Sequence, residues 1–114
     1  MNLDNIINKI LLALKGTSIQ KVILFGSFAQ GNPGPDSDVD VLVVTDDRFI
    51  PETFKEKMNL KVKISRLFEQ IRNEVPVDLI VHTVPMHQKF IEMNSSFKQE
   101  ILSKGVVIYE RNNE

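Results

Sequence analysis

The stretch "GSFAQGNPGPDSDVD" runs from Gly26 to Asp40, between the apolar runs "KVILF" (Lys21–Phe25) and "VLVV" (Val41–Val44). Glycine, proline, aspartate and serine are turn-formers, so this stretch reads as a loop joining two strands. The flanking residues, Ile19 to Phe25 and Val39 to Thr45, are rich in the β-branched and aromatic types that suit strands. A parallel crossover needs about a dozen residues or more, usually a helix. The link, residues 26–38, offers only one short helical turn, so the pair is expected to be antiparallel or nearly so.

The end of the loop carries the chemistry. Asp38 and Asp40 are two residues apart at a strand start, and side chains alternate faces along a strand. Both carboxylates therefore project from one face, about 7 Å apart along the backbone. Val39, Val41 and Val43 project from the other face into a core. Adjacent carboxylates repel unless a cation lies between them. Mg²⁺ takes such ligands together with substrate phosphates, and paired ions about 3.5–4 Å apart recur in phosphoryl-transfer sites. The plainer alternative is a polar turn entering a strand.

Two further features weigh on that choice. Gly26 and Ser27 follow a buried strand directly. Glycine admits close backbone approach, serine is a good helix N-cap, and "SFAQ" suits one short helical turn. Backbone N–H groups there can meet a phosphate, although an ordinary turn reads the same way. Asp78 lies within "VPVDLIVH", an otherwise apolar strand. A carboxylate buried there is costly unless paired, hydrogen-bonded or metal-bound. The alternative is an Asp facing solvent at a strand edge.

Outward from this centre, Leu3, Ile6, Ile7, Ile10, Leu11 and Leu14 recur at helical spacing, with Gly16 as a stop. A long helix is expected from about Glu52 to Arg72, with Phe54, Met58, Val62, Leu67, Phe68 and Ile71 on its core side. Its cations (Lys55, Lys57, Lys61, Lys63, Arg66) read as a solvated face with local ion pairs, or as a surface for an anionic ligand or an acidic partner. Val77 to His82 is a third strand, opened by Pro76. Met86 to Ser103 is expected as one helix, with Phe90, Met93, Phe97 and Ile101 on one face. Gly105 ends it, and Val106 to Glu110 is a final strand. The fold class is α/β of the α+β kind: a small mixed β-sheet flanked by helices, in a single domain over residues 1–114.

The chain has 114 residues, no cysteine, and 14 basic against 15 acidic residues, for a net charge of −1. Disulfides and Cys-ligated zinc are excluded. The balanced charge is a poor footprint for gripping nucleic acid. No apolar run approaches the roughly 20 residues that span a bilayer, and Asp4 sits where a signal peptide would be basic. A cytoplasmic protein without a membrane role is expected. His82 and His87 read as ordinary structural residues, and Tyr109 as a strand residue with its hydroxyl at the surface.

"GSFAQGNPGPDSDVDVLVV" resembles the Gly-Ser-x-Ala-Arg-Gly…Ser-Asp-x-Asp signature of minimal nucleotidyltransferases, members of the DNA polymerase β-like superfamily. The match runs through Gly26, Ser27, Ala29, Gly31, Asp36, Ser37, Asp38 and Asp40, and Asp78 falls where the family has its third carboxylate. One position departs: Gln30 stands where the family usually has Arg, so a positive charge is missing. The resemblance implies a polymerase β-like fold and Mg²⁺-dependent transfer of AMP from ATP, with two ions held by Asp38, Asp40 and Asp78. These three would be the catalytic residues, with Asp78 helping to activate the acceptor. Gly26 and Ser27 would bind the β- and γ-phosphates, with Gln30 and Ser37 completing the nucleotide site.

Larger relatives carry a helical acceptor-binding domain for which this chain has no room. The resemblance implies an antitoxin whose acceptor is a tyrosine of a helical toxin partner of the HEPN type. Two other readings stand beside it: a homodimeric enzyme acting on an antibiotic-like small molecule, and a non-catalytic module that neutralises its partner by contact.

Overall fold

The computed structural model describes residues 2–111. Four strands form one mixed sheet: β1 (Ile19–Phe25), β2 (Val39–Thr45), β3 (Val77–His82) and β4 (Val106–Glu110), in the order β3-β2-β1-β4. β1 pairs antiparallel with β2 and with β4, whereas β2 and β3 are parallel. All four strands have the bounds their sequence predicts, and the Gly26–Asp40 link joins an antiparallel pair as expected.

The helices are α1 (Leu3–Leu14), α2 (Gly26–Ala29), α3 (Phe54–Leu67), α4 (Glu69–Arg72), α5 (Val84–Glu92) and α6 (Ser96–Lys104). α1, α3 and α4 cover one sheet face. Ile6, Ile10, Leu60, Ile64, Phe68 and Ile71 pack there against Val22, Leu24, Val39, Val41 and Val43. α5 and α6 lie on the other face, where Ile101, Val84 and Phe90 meet Ile23, Phe25, Leu42 and Val44. Val39, Val41 and Val43 thus fill the main core, as alternation requires.

Two expectations need correction. The Glu52–Arg72 helix begins after the cap Thr53, whose Oγ1 accepts from the Glu56 N–H at 3.1 Å, and it breaks at Phe68. Its buried side is Leu60, Ile64, Phe68 and Ile71, whereas Phe54, Met58 and Val62 are exposed. A helix turns about 100° per residue, so Met58 stands about 200° from Leu60, on the opposite side. The expected Met86–Ser103 helix is two helices. Met93 is extended, and Ser95 caps a new start by accepting from the Lys98 N–H at 3.1 Å. No helix among the described residues is long and apolar enough to cross a membrane.

Candidate active site

The sheet's own pairing assembles the corner where the sequence features meet. Phe25, the last residue of β1, pairs with Asp40, and Asp40 pairs in register with Asp78 of β3. Residues opposite one another across a ladder share a face, so both carboxylates leave the sheet on the α5/α6 side. Asp38 lies just before β2 and is exposed; Asp78 is exposed on an edge strand; Asp40 is half-buried. The burial argument for Asp78 therefore fails, because its carboxylate is solvated. Its register with Asp40 is what ties it to the site.

Gly26 locks this corner. Its φ is +74°, in the left-handed region that favours glycine, and a Cβ there would collide with Oδ2 of Asp40. The close approach that glycine permits is thus used by a carboxylate of the chain itself. Gly26 to Ala29 form the single turn of α2, whose cap position is Phe25 with no side-chain cap bond. Ser27 lies inside that turn, not at its cap as its residue type suggested. Gln30 ends α2 and is exposed, its N–H donating to the carbonyls of Gly26 and Phe28. Ser37 accepts a 2.7 Å hydrogen bond from the Gly34 N–H and so closes the loop.

Charge gathers here without compensation. Burial, then the negative charges of Asp78 and Asp38, raise the Asp40 carboxyl above the ordinary aspartate value. Among the described residues, no three His, Asp or Glu side chains are drawn together closely enough to hold one ion. The donor set still suits a hard cation: oxygen ligands only, mutually repelling, beside a backbone turn with free N–H groups. Asp40 and Asp78 are the pair that a divalent ion would relieve most.

Two features were not read from the sequence. Phe97 packs edge-on against Phe25 at 5.8 Å and against Phe90 at 6.0 Å, which puts a part-exposed aromatic shelf one ring from Asp40's pairing partner. His87 is buried, and its Nδ1 lies 3.2 Å from Nδ1 of His82. Burial lowers both imidazoles; His82 and Lys21 lower His87 further, to about 4.

The chain belongs to the nucleotidyltransferase family whose model, described as "Polymerase beta, Nucleotidyltransferase", matches residues 7–114. It is 31% identical over 112 residues to "Putative protein adenylyltransferase MJ0604" of Methanocaldococcus jannaschii, with 96% of this chain and all of that protein covered. A second M. jannaschii protein of the same description is 29% identical over 83 residues, covering 73% of this chain and 79% of that one. Among solved structures, a toxin-antitoxin with AMP-PNP shares the fold at a TM-score of 0.59 and 20% identity, over 92% of this chain and 73% of that one. A nucleotidyltransferase-like protein of Sulfolobus solfataricus does so at 0.58 and 19%, over 96% and 80%. A minimal nucleotidyltransferase-like structure does so at 0.52 and 21%, over 93% and 95%. The chain is a minimal nucleotidyltransferase of the polymerase β-like superfamily, and the non-catalytic reading is set aside.

Proposed function

We propose that this nucleotidyltransferase moves AMP from ATP to a tyrosine hydroxyl of a helical, HEPN-type toxin partner and so acts as an antitoxin. The observation that carries the catalytic part is the in-register pairing of Asp40 with Asp78, with Gly26 pressed against the Asp40 carboxylate. The protein acceptor is supported by the names of the two M. jannaschii relatives, and the partner by the likeness to a toxin-antitoxin structure. The open corner, with Asp38 and Asp78 exposed, suits a large acceptor whose own surface completes the site.

In this reading Asp38, Asp40 and Asp78 would hold two Mg²⁺ ions, which when bound would offset charge on the triphosphate and on the leaving group. The acceptor oxygen forms a bond to the α-phosphorus, the bond from that phosphorus to the bridging oxygen breaks, and pyrophosphate leaves. Asp78, the exposed carboxylate of β3, draws the proton from the acceptor hydroxyl. The turn Gly26–Ser27 presents backbone N–H groups to the β- and γ-phosphates, with Gln30 and Ser37 framing the loop. Gln30 can offer hydrogen bonds to the phosphates but no charge, unlike an arginine at that position. Catalysis here is positioning and electrostatics, with no covalent enzyme intermediate.

Mass spectrometry of the protein that co-purifies with this chain, after incubation with ATP and Mg²⁺, tests the reading. One AMP per modified tyrosine is expected with the parent chain and none with Asp40→Asn. An undiminished adduct with Asp40→Asn would remove Asp40 from the chemistry, and an adduct on a small molecule alone would replace the protein acceptor.

A further inference from the structure

We propose that the groove between α3 and the outer edge of β3 binds an extended acidic segment of the acceptor protein, which adds to the sheet as a further strand beside β3. The proposal rests on the protein-acceptor reading above and gives it a docking surface.

The groove has a volume of about 380 Å³, walled on one side by Phe54, Lys57, Met58 and Lys61 of α3 and on the other by four consecutive β3 residues, 79–82. Successive strand residues point to opposite faces, so a cavity that touches all four meets the strand edge-on. Among the described residues that edge is free, because β3 is terminal in the sheet and pairs only with β2. An edge strand with unpaired N–H and C=O groups beside a helix is the geometry in which an extended peptide gains main-chain hydrogen bonds.

The helix wall states the chemistry of the guest. At about 100° per residue, Lys57, Lys61, Phe54 and Met58 fall within one arc of α3, alternating charge with apolar surface. Phe54 is 78% exposed and Met58 41%, so both offer apolar surface on that helix flank. α3 holds five cations (Lys55, Lys57, Lys61, Lys63, Arg66) against the single carboxylate of Glu56. None of the five is in an ion pair among the described residues. The whole chain is at −1, so positive charge is concentrated on this helix and offset elsewhere. The complement is a segment with acidic side chains toward Lys57 and Lys61 and apolar ones toward Phe54 and Met58. A lipid surface is the poorer fit, since it calls for a protruding apolar face, whereas these side chains wall a concavity.

The groove also leads to the chemistry. β3 begins at Val77–Asp78, so a strand laid along residues 79–82 ends one residue from Asp78, whose carboxylate leaves the sheet on the face away from α3. Strand addition would fix the register of the acceptor chain and carry the residue just past the groove to the transfer site.

The test needs neither ATP nor metal, so its outcome is independent of whether nucleotide transfer occurs. Isotope-labelled protein is titrated with a synthetic peptide alternating valine and glutamate around a central tyrosine, with its lysine counterpart, and with the acidic peptide N-methylated at alternate residues. The acidic peptide is expected to shift the amide signals of 54–61 and to protect the outward-facing amides of 79–82 from hydrogen exchange. The lysine and N-methylated peptides should do neither, and Lys57→Glu with Lys61→Glu should invert the preference between acidic and basic peptides. Equal binding of both charges, shifts on α3 without protection of β3, or response only to phosphatidylserine vesicles would overturn the proposal. So would protection of the same amides by self-association of the peptide-free protein.

Discussion

Gly26 and Asp40 sit so close that any Cβ at position 26 would overlap Oδ2 of Asp40. Two requirements converge on one residue, a positive φ of +74° and the absence of a side chain. Gly26→Ala is therefore expected to disturb the site from both directions. Backbone strain of this kind costs about 1–3 kcal/mol, and the displaced carboxylate should take AMP transfer down far more than stability. Urea unfolding beside a transfer assay separates the two, and an active, fully stable Gly26→Ala would show that the corner tolerates rearrangement.

Asp40 carries its charge at a disadvantage. Its carboxyl is raised by burial and by Asp78 and Asp38, so the folded state holds that proton more tightly than the unfolded chain does. The stability so gained is present below the unfolded aspartate pKa and is lost as pH rises through the folded one. At neutral pH without metal, Asp40→Asn should melt slightly higher than the parent. Added Mg²⁺ and ATP should stabilise the parent, by binding only its folded form, and the variant much less. Thermal melts in EDTA and in Mg²⁺ check both signs.

His87 works in the opposite sense. Its pKa is lowered to about 4 by burial, by His82 on β3 and by Lys21 on β1, and its Nε2 is buried without a hydrogen-bond partner among the described residues. The neutral imidazole is the folded form, so its contribution is present above about pH 6.5 and is lost as pH falls toward 4. A shift of that size corresponds to something on the order of 3 kcal/mol across the window. Denaturant midpoints at pH 7 and pH 4.5 should fall steeply for the parent and less for His87→Gln.

The smaller core under α5 and α6 hangs on few residues. Ile101 is 1% exposed and is the one fully buried side chain that α6 contributes. Truncating such a residue costs about 2–5 kcal/mol. Ile101→Ala should destabilise the protein by that amount and loosen the Phe25–Phe97 contact beside Asp40, visible as a lower urea midpoint together with a higher KM for ATP.

Strands, being short, alternating and bounded by Gly, Pro and Asp, were legible in the sequence to the residue, and so was the antiparallel link that carries Asp38 and Asp40. α3 was not legible in detail: Phe54, Met58 and Val62 are as apolar as Leu60 and Ile64, and periodicity cannot tell a core stripe from an exposed one on the same helix. The break at Met93–Ser95 was missed because apolar residues keep helical spacing across it, while the deciding signal is the capping serine. Asp78 stood out by composition for the wrong reason, since it is solvated. Its pairing with Asp40 is a fact of register between strands more than 30 residues apart in sequence, which no local pattern records. The role of Gly26 against Asp40 is likewise a contact made across the ladder.

Metal and nucleotide are expected to meet at the Asp40–Asp78 corner. The most direct measurement is amide line broadening by Mn²⁺, used in place of Mg²⁺ with a non-hydrolysable ATP analogue, on isotope-labelled protein. Signals of Gly26, Ser27, Asp40 and Asp78 should broaden first, and Asp40→Asn should abolish the effect. Broadening centred instead on Asp46 and Asp47, at the opposite end of β2, with Gly26 and Asp78 untouched, would contradict it.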